Sequence, residues 1–182
     1  MAGAEAAHGK AARGEAAGGE AAGGNAARGE VAGTQVVRRR AGRVLVVDGG
    51  GRVLLLHGFD PARPGQPYWF TVGGGAEPHE SLAQAAAREL REETGIRAER
   101  ADLGDPVWHE VAEFSFQGTS YRQEQDFFLL RVGSAEVRAD ELDEEEAAAV
   151  IDGHRWWTLA ELEATTEPYY PAELPALLRS LA

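Results

Sequence analysis

Between Gly74 and Ile96 the chain reads GGAEPHESLAQAAARELREETGI, and within it the segment Leu82 to Glu93 contains neither Gly nor Pro. Ser81 and Gln84 have the spacing of a capping box, and Gly95 stands where a left-handed C-terminal cap belongs, so both ends of a helix are written into the segment. On a wheel of about 100 degrees per residue with Leu82 at zero, Ala83, Ala86 and Leu90 fall between about 40 and 100 degrees, the arc that packs on a sheet. Glu93, near 20 degrees, and Glu89, near −20, border that arc, whereas Gln84 and Arg91 point to water. A helix built for stability alone would carry its glutamates where Arg91 is, because burying a carboxylate without a partner is expensive.

Two explanations compete for these charges. Arg88 and Glu92 form a sound i, i+4 pair, which accounts for one carboxylate at most. The other explanation is a hard divalent cation with oxygen ligands, most naturally Mg²⁺, with Mn²⁺ as the alternative, held among Glu89, Glu92 and Glu93. Such a cluster suits displacement at phosphorus: a cation offsets charge on the non-ester oxygens and acidifies water, and a carboxylate free of the ion can take the water's proton. Gly73 to Gly75 let backbone pass close to this place, although three glycines also make an ordinary turn.

At 182 residues one domain is expected, with one core. Residues 1–33 are Ala, Gly and Glu with scattered Arg, too poor in apolar side chains to offset chain entropy, so a disordered tail is expected there and the folded domain over 34–182. No signal-peptide core and no apolar run of about 18 residues is present, which points to a soluble, cytoplasmic protein without a membrane partner. The absence of Cys excludes disulfides, thiolate metal sites and cysteine nucleophiles. A net charge of −12, with a dense acidic stretch from Glu136 to Glu146, argues against a broad grip on a nucleic acid polymer. Arg38 to Arg40 and Arg43 form the basic run, read as a solvated lead-in to the first strand, or else as one or two arginines reaching a substrate phosphate.

Arg43–Val47 and Arg52–Leu56 read as a hairpin around Asp48 to Gly51, and Tyr68–Val72 as a strand stopped by Gly73 to Gly75. Val107–Phe116 and Tyr121–Val132 read as a second hairpin turning at Gln117 to Ser120. Arg155–Thr158 reads as a strand, Thr158 with Glu161 as a capping box for a helix at Leu159, and a short helix follows Pro171. Strands interleaved with helices give an α/β class, a mixed sheet with helices on both faces.

The identities at Gly74, Glu80, Arg88, Glu89, Leu90, Glu92, Glu93, Gly95 and Ile96, at these spacings, resemble the signature of the Nudix hydrolases. Trp69 ahead of the glycines and the pattern Trp156-Trp157-Thr-Leu-Ala-Glu-Leu162 are also similar to that family, while Val72 replaces its familiar proline. The resemblance implies an α/β/α sandwich and hydrolysis of a nucleoside diphosphate linked to another group, a small nucleotide substrate. It implies Glu89, Glu92 and Glu93 as metal ligands, one of them or a later glutamate as base, Arg88 as the residue orienting a glutamate, Glu80 as support and Gly74 and Gly95 as loop-shaping residues. A later carboxylate is expected from Glu145, Glu146 or Glu124, with Glu146 taken as the support. Trp69 and Phe70 are candidates to stack on a base, though such a cluster is also core material. His57, His109 and His154 show no ligand spacing. The competing function is a non-catalytic nucleotide sensor on the same fold, and oligomeric state stays open. Deleting residues 1–33 should leave the thermal melting midpoint unchanged, and a large drop would refute the tail assignment.

Overall fold

The computed structural model describes residues 36–133, 137 and 151–181; the expected tail and the candidates Glu145 and Glu146 lie outside them. The elements are β1 (Val36–Val47), β2 (Val53–Phe59), β3 (Pro67–Phe70), β4 (Val72–Gly75), α1 (Leu82–Thr94), α2 (Arg100–Leu103), β5 (Trp108–Phe116), β6 (Thr119–Arg131), β7 (Ile151–Trp157), α3 (Leu159–Ala164), β8 (Tyr169–Tyr170) and α4 (Leu174–Ser180). This is the α/β class with a mixed sheet.

β1 is the spine. It runs parallel to β6 along its whole length, from Val36 opposite Ser120 to Val47 opposite Arg131. Its other edge takes β4 antiparallel over Ala41–Val44, then meets β2 at a single pair, Val47 opposite Val53. From that hairpin β2 diverges and carries β3 on one edge and β7 on the other. β5 flanks β6 and β8 flanks β3. The hairpin itself is held by Asp48, whose Oδ1 accepts from the amides of Gly50 and Arg52, both at 2.9 Å.

The continuous aliphatic runs in β1 and β2 are explained by burial on both faces. Val44, Val46, Leu54 and Leu56 face one core with Leu82, Ala86 and Leu90 of α1. Leu45, Val53 and Leu55 face the other, with Trp157, Leu162 of α3 and Leu174 and Leu177 of α4. Helices therefore cover both faces, as expected. Each fully buried Leu or Val contributes about 1.5–3 kcal/mol, and both cores draw on the same two strands.

The structure corrects two readings of the chain. Gly73 to Gly75 do not stop a strand; they belong to β4 and pair with Ala41–Arg43 of β1, while the break falls at Thr71. Nor is the first strand confined to Arg43–Val47. It begins at Val36, because pairing with β6 continues through the arginine run. Both capping boxes form as expected, at Ser81 with Gln84 and at Thr158 with Glu161, and Gly95 caps α1 with φ 70°.

Close approach of α1 to β1 depends on Gly42. A Cβ there would lie 2.0 Å from the Leu82 carbonyl oxygen and 2.8 Å from the Ala86 nitrogen, both backbone atoms that cannot rotate away. Gly42→Ala should therefore push the helix off the sheet and cost roughly 3 kcal/mol, the upper end of overpacking costs, measured by urea unfolding. A variant as stable as the parent would show that the contact yields easily.

Candidate active site

α1 turns Glu89 and Glu93 inward as its wheel implies, and both are 7% exposed. Arg88 sits beside them and is the hub. Its Nη1 lies 2.9 Å from Glu92 Oε2 and 3.0 Å from Glu89 Oε1. Its Nε and Nη2 donate to the two oxygens of Glu80, each at 3.2 Å, and Nη2 also donates to the Gly75 carbonyl at 2.9 Å. One guanidinium thus serves three carboxylates and the backbone of β4. The expectation that Arg88 could answer for one glutamate at most was too low, because sequence spacing sees the i, i+4 partner and not Glu80 or its own neighbour Glu89. Arg91 adds a contact to Glu92 Oε1 at 3.2 Å.

Glu93 reaches the strand instead: its Oε2 accepts from the Gly73 amide at 2.7 Å. Gly74 lies against Glu89, where a Cβ would come within 2.4 Å of its Oε1. A side chain at Gly74 would have to displace the Glu89 carboxylate from its present place.

Electrostatics follow from this geometry. Burial works to lower the pKa of Arg88, but its bond to Glu80, the charge of Glu89 and its bond to Glu92 outweigh that and raise it well above the ordinary arginine value. Burial likewise raises Glu80, and the Arg88 bond and the Glu77 amide overcome it, holding its carboxyl below the usual range. Arg88 and Glu80 each favour their charged forms.

Glu89, Glu92 and Glu93 offer hard oxygen donors around a strand that carries no side chain at Gly74, and this donor set fits a hard divalent cation. Among the described residues, however, no three carboxylate or imidazole groups stand in a ligating arrangement. The oxygens are turned to Arg88 and to Gly73.

The other candidates are placed less centrally. Trp69 donates from Nε1 to Glu167 Oε2 at 2.7 Å and meets Trp157 edge-on at 5.1 Å on the α3/α4 side. Phe70 packs against the α1 core. Adjacent residues of one strand point to opposite faces, so a single base cannot stack on both. Glu124 is exposed on β6 opposite Arg40, on the face that carries α1. His57 pairs with Asp152 and His109 with Asp126, consistent with ordinary strand histidines.

The arginine run is divided: Arg38 and Arg40 are exposed, as a solvated lead-in requires, whereas Arg39 and Arg43 have partners within the fold. Arg39 lies over the rings of Tyr121 (4.7 Å) and Phe114 (5.5 Å), and Arg43 binds backbone carbonyls of Thr71 and Gly73. These residues, with Gln123, Gln125 and Glu110, form a polar strip that sequence reasoning missed. The available signal was period two: Gln123 and Gln125 fall on the inward parity with Phe127, where an apolar residue is expected.

The NUDIX domain model matches residues 37–178. An RNA pyrophosphohydrolase of Erythrobacter litoralis (strain HTCC2594) is 38% identical over 80 residues, 40% of this chain and 49% of that protein. The chain thus spans about half the length of that relative. Among solved structures, a MutT NUDIX hydrolase from Burkholderia pseudomallei superposes with a TM-score of 0.56 at 20% identity, covering 80% of this chain and 99% of the other. The E. coli ORF135 protein does so with a TM-score of 0.51 at 26% identity, covering 80% and 89%. The chain belongs to the Nudix family.

Arg88→Gln should expose the strain that the guanidinium relieves. Three carboxylates would each lose one partner, and the loss should be roughly 2 kcal/mol at neutral pH, below the 3–5 expected for a fully buried pair because the group is partly solvated. Glu80 has a depressed folded pKa, so its contribution is fully present above its unfolded value and is lost as pH falls through the folded one. The stability gap between parent and variant should therefore be widest near neutrality and shrink on acidification below the ordinary carboxylate range. Denaturant melts at several pH values test this; a gap independent of pH would contradict it.

Proposed function

We propose that the chain is a divalent-metal-dependent pyrophosphohydrolase acting on a nucleotide-derived substrate. The observation that carries this reading is the juxtaposition of Glu89, Glu92 and Glu93 with the side-chain-free strand Gly73–Gly75, tied together by Arg88. Glu89, Glu92 and Glu93 would hold the ion. Mg²⁺ or Mn²⁺ would supply charge stabilisation on the phosphate oxygens and acidification of the attacking water. The chain's own residues do the rest. α1 presents the carboxylates on a helix clamped at both ends, Arg88 fixes which oxygens face inward, and a glutamate free of the ion accepts the water's proton. Glu80 keeps Arg88 from swinging away when Glu89 and Glu92 turn to another partner.

Net charge of −12 disfavours extended contact with a polymer. The similarity to an RNA pyrophosphohydrolase nevertheless brings a 5′-triphosphorylated RNA end onto the test panel, since an end requires no contact along the strand. ADP-ribose, a dinucleoside polyphosphate, a nucleotide sugar and an oxidised nucleoside triphosphate complete it.

With Mg²⁺ or Mn²⁺ present, at least one of these should release a nucleotide or phosphate product by chromatography. Glu92→Gln and Glu93→Gln should each lower turnover at least about a hundredfold, the size expected when a catalytic electrostatic contact is removed, with the fold intact by circular dichroism. Parent protein that binds nucleotides and cleaves none would instead support the sensor.

A further inference from the structure

Arg43 stands in β1 between Ala41 and Leu45, two apolar residues of the same parity that are fully buried. An apolar side chain would continue that row at no cost in desolvation. Instead the guanidinium reaches across to β4. Nη1 donates to the Thr71 carbonyl at 3.2 Å and to the Gly73 carbonyl, and Nε donates to Gln125 Oε1 at 3.3 Å. Gln125 is itself fixed, accepting from Gln123 Nε2 at 2.6 Å and donating to Glu110 Oε2 at 2.9 Å. Gln123 in turn accepts from Arg39 Nε at 2.5 Å. A chain of hydrogen bonds therefore crosses β5, β6 and β1 and ends on Gly73.

Gly73 is the residue whose amide holds Glu93 Oε2 at 2.7 Å. Its carbonyl belongs to Arg43 and its amide to Glu93, so the guanidinium and the carboxylate act on opposite polar groups of one residue. Burial lowers the pKa of Arg43, and the charges that work most strongly against this are Glu93 and Glu89. The guanidinium is thus a standing positive charge behind the inward glutamates.

We infer that Arg43 is a positioning residue for the active site: by anchoring Gly73 it fixes the amide that aims the Glu93 carboxylate. This rests on the proposed role of Glu93 as a metal ligand. A purely structural role, closing the carbonyls left at the break between β3 and β4, would affect stability and nothing else.

The test uses the full chain and three variants: Arg43→Lys, which keeps the charge but cannot span two carbonyls and Gln125; Arg43→Gln; and Gln125→Met, which releases the Nε side while leaving the guanidinium in place. Three quantities are read: hydrogen exchange of the Gly73 amide by ¹⁵N NMR without metal, Mn²⁺ affinity by calorimetry, and kcat and KM on whichever panel substrate the parent cleaves. Arg43→Lys should accelerate Gly73 exchange and lower Mn²⁺ affinity and kcat by about tenfold, the scale of losing an outer-shell partner, with KM unchanged. Gln125→Met should shift the same three quantities in the same direction by less. If Arg43→Gln does not fold, the other two variants carry the test. A lysine variant with parental exchange at Gly73, parental Mn²⁺ affinity and parental kcat, differing only in melting temperature, would overturn the inference. Should the parent cleave nothing, the proposed activity fails, while Gly73 exchange and Mn²⁺ affinity still decide the role of Arg43.

Discussion

The guanidinium of Arg88 joins three pieces of chain: α1 through Glu89 and Glu92, the loop before it through Glu80, and β4 through the Gly75 carbonyl. Acidic side chains on the inner flank of a helix cost desolvation, and an unshared arrangement would drive the helix outward or neutralise the carboxyls. Arginine suits this place because its planar fork offers five donors in fixed directions, where a lysine would offer one compact charge. Arg88 thus shares the charge of Glu89 and Glu92, while Glu93 rests on the Gly73 amide. Under the proposed function, a divalent cation would compete with Arg88 for the oxygens of Glu89 and Glu92.

Gathering also requires that strand and helix come close, and this depends on side chains that are missing. At Gly42 the backbone of β1 lies against the first turn of α1, and at Gly74 that of β4 lies against the Glu89 carboxylate. β1 is common to both, since it pairs with β4 over Ala41–Val44. Moving the helix outward by the thickness of a methyl group would lengthen the contacts of Arg88 to Gly75 and of Glu93 to Gly73 together. The site is therefore as precise as the helix-to-sheet distance.

What was readable in the sequence was local. Ser81 with Gln84, Gly95, and Thr158 with Glu161 mark helix ends through contacts three or four residues apart, and all form. The inward lean of Glu89 and Glu93 follows from helical period alone. What was not readable was pairing at a distance. The β1 to β6 ladder joins residues 84 apart, as in Arg39 with Gln123, and nothing in either strand announces its partner. The glycines of β4 look like a turn because glycine is rare inside strands; in the strand, a Cβ at Gly73 would meet the β1 backbone at 2.2 Å and one at Gly74 the Glu89 carboxylate at 2.4 Å. Arg43 shows the same limit, since a cation at the start of an aliphatic run reads as surface until the carbonyls it meets are known.

Overall charge is a poor guide to what this site would attract. A chain of net charge −12 repels a polyphosphate at long range, yet at physiological ionic strength such forces fade over about 8 Å. Within that distance the balance is different. β1 carries Arg43 alongside β4, and the Ala76 amide after β4 donates to the Arg40 carbonyl at 2.9 Å, so an arginine-rich strand adjoins the glycines that pack on the acidic cluster. α1 adds Arg88 and Arg91. Under the proposed function, a phosphorylated substrate meets compensated rather than bare glutamates.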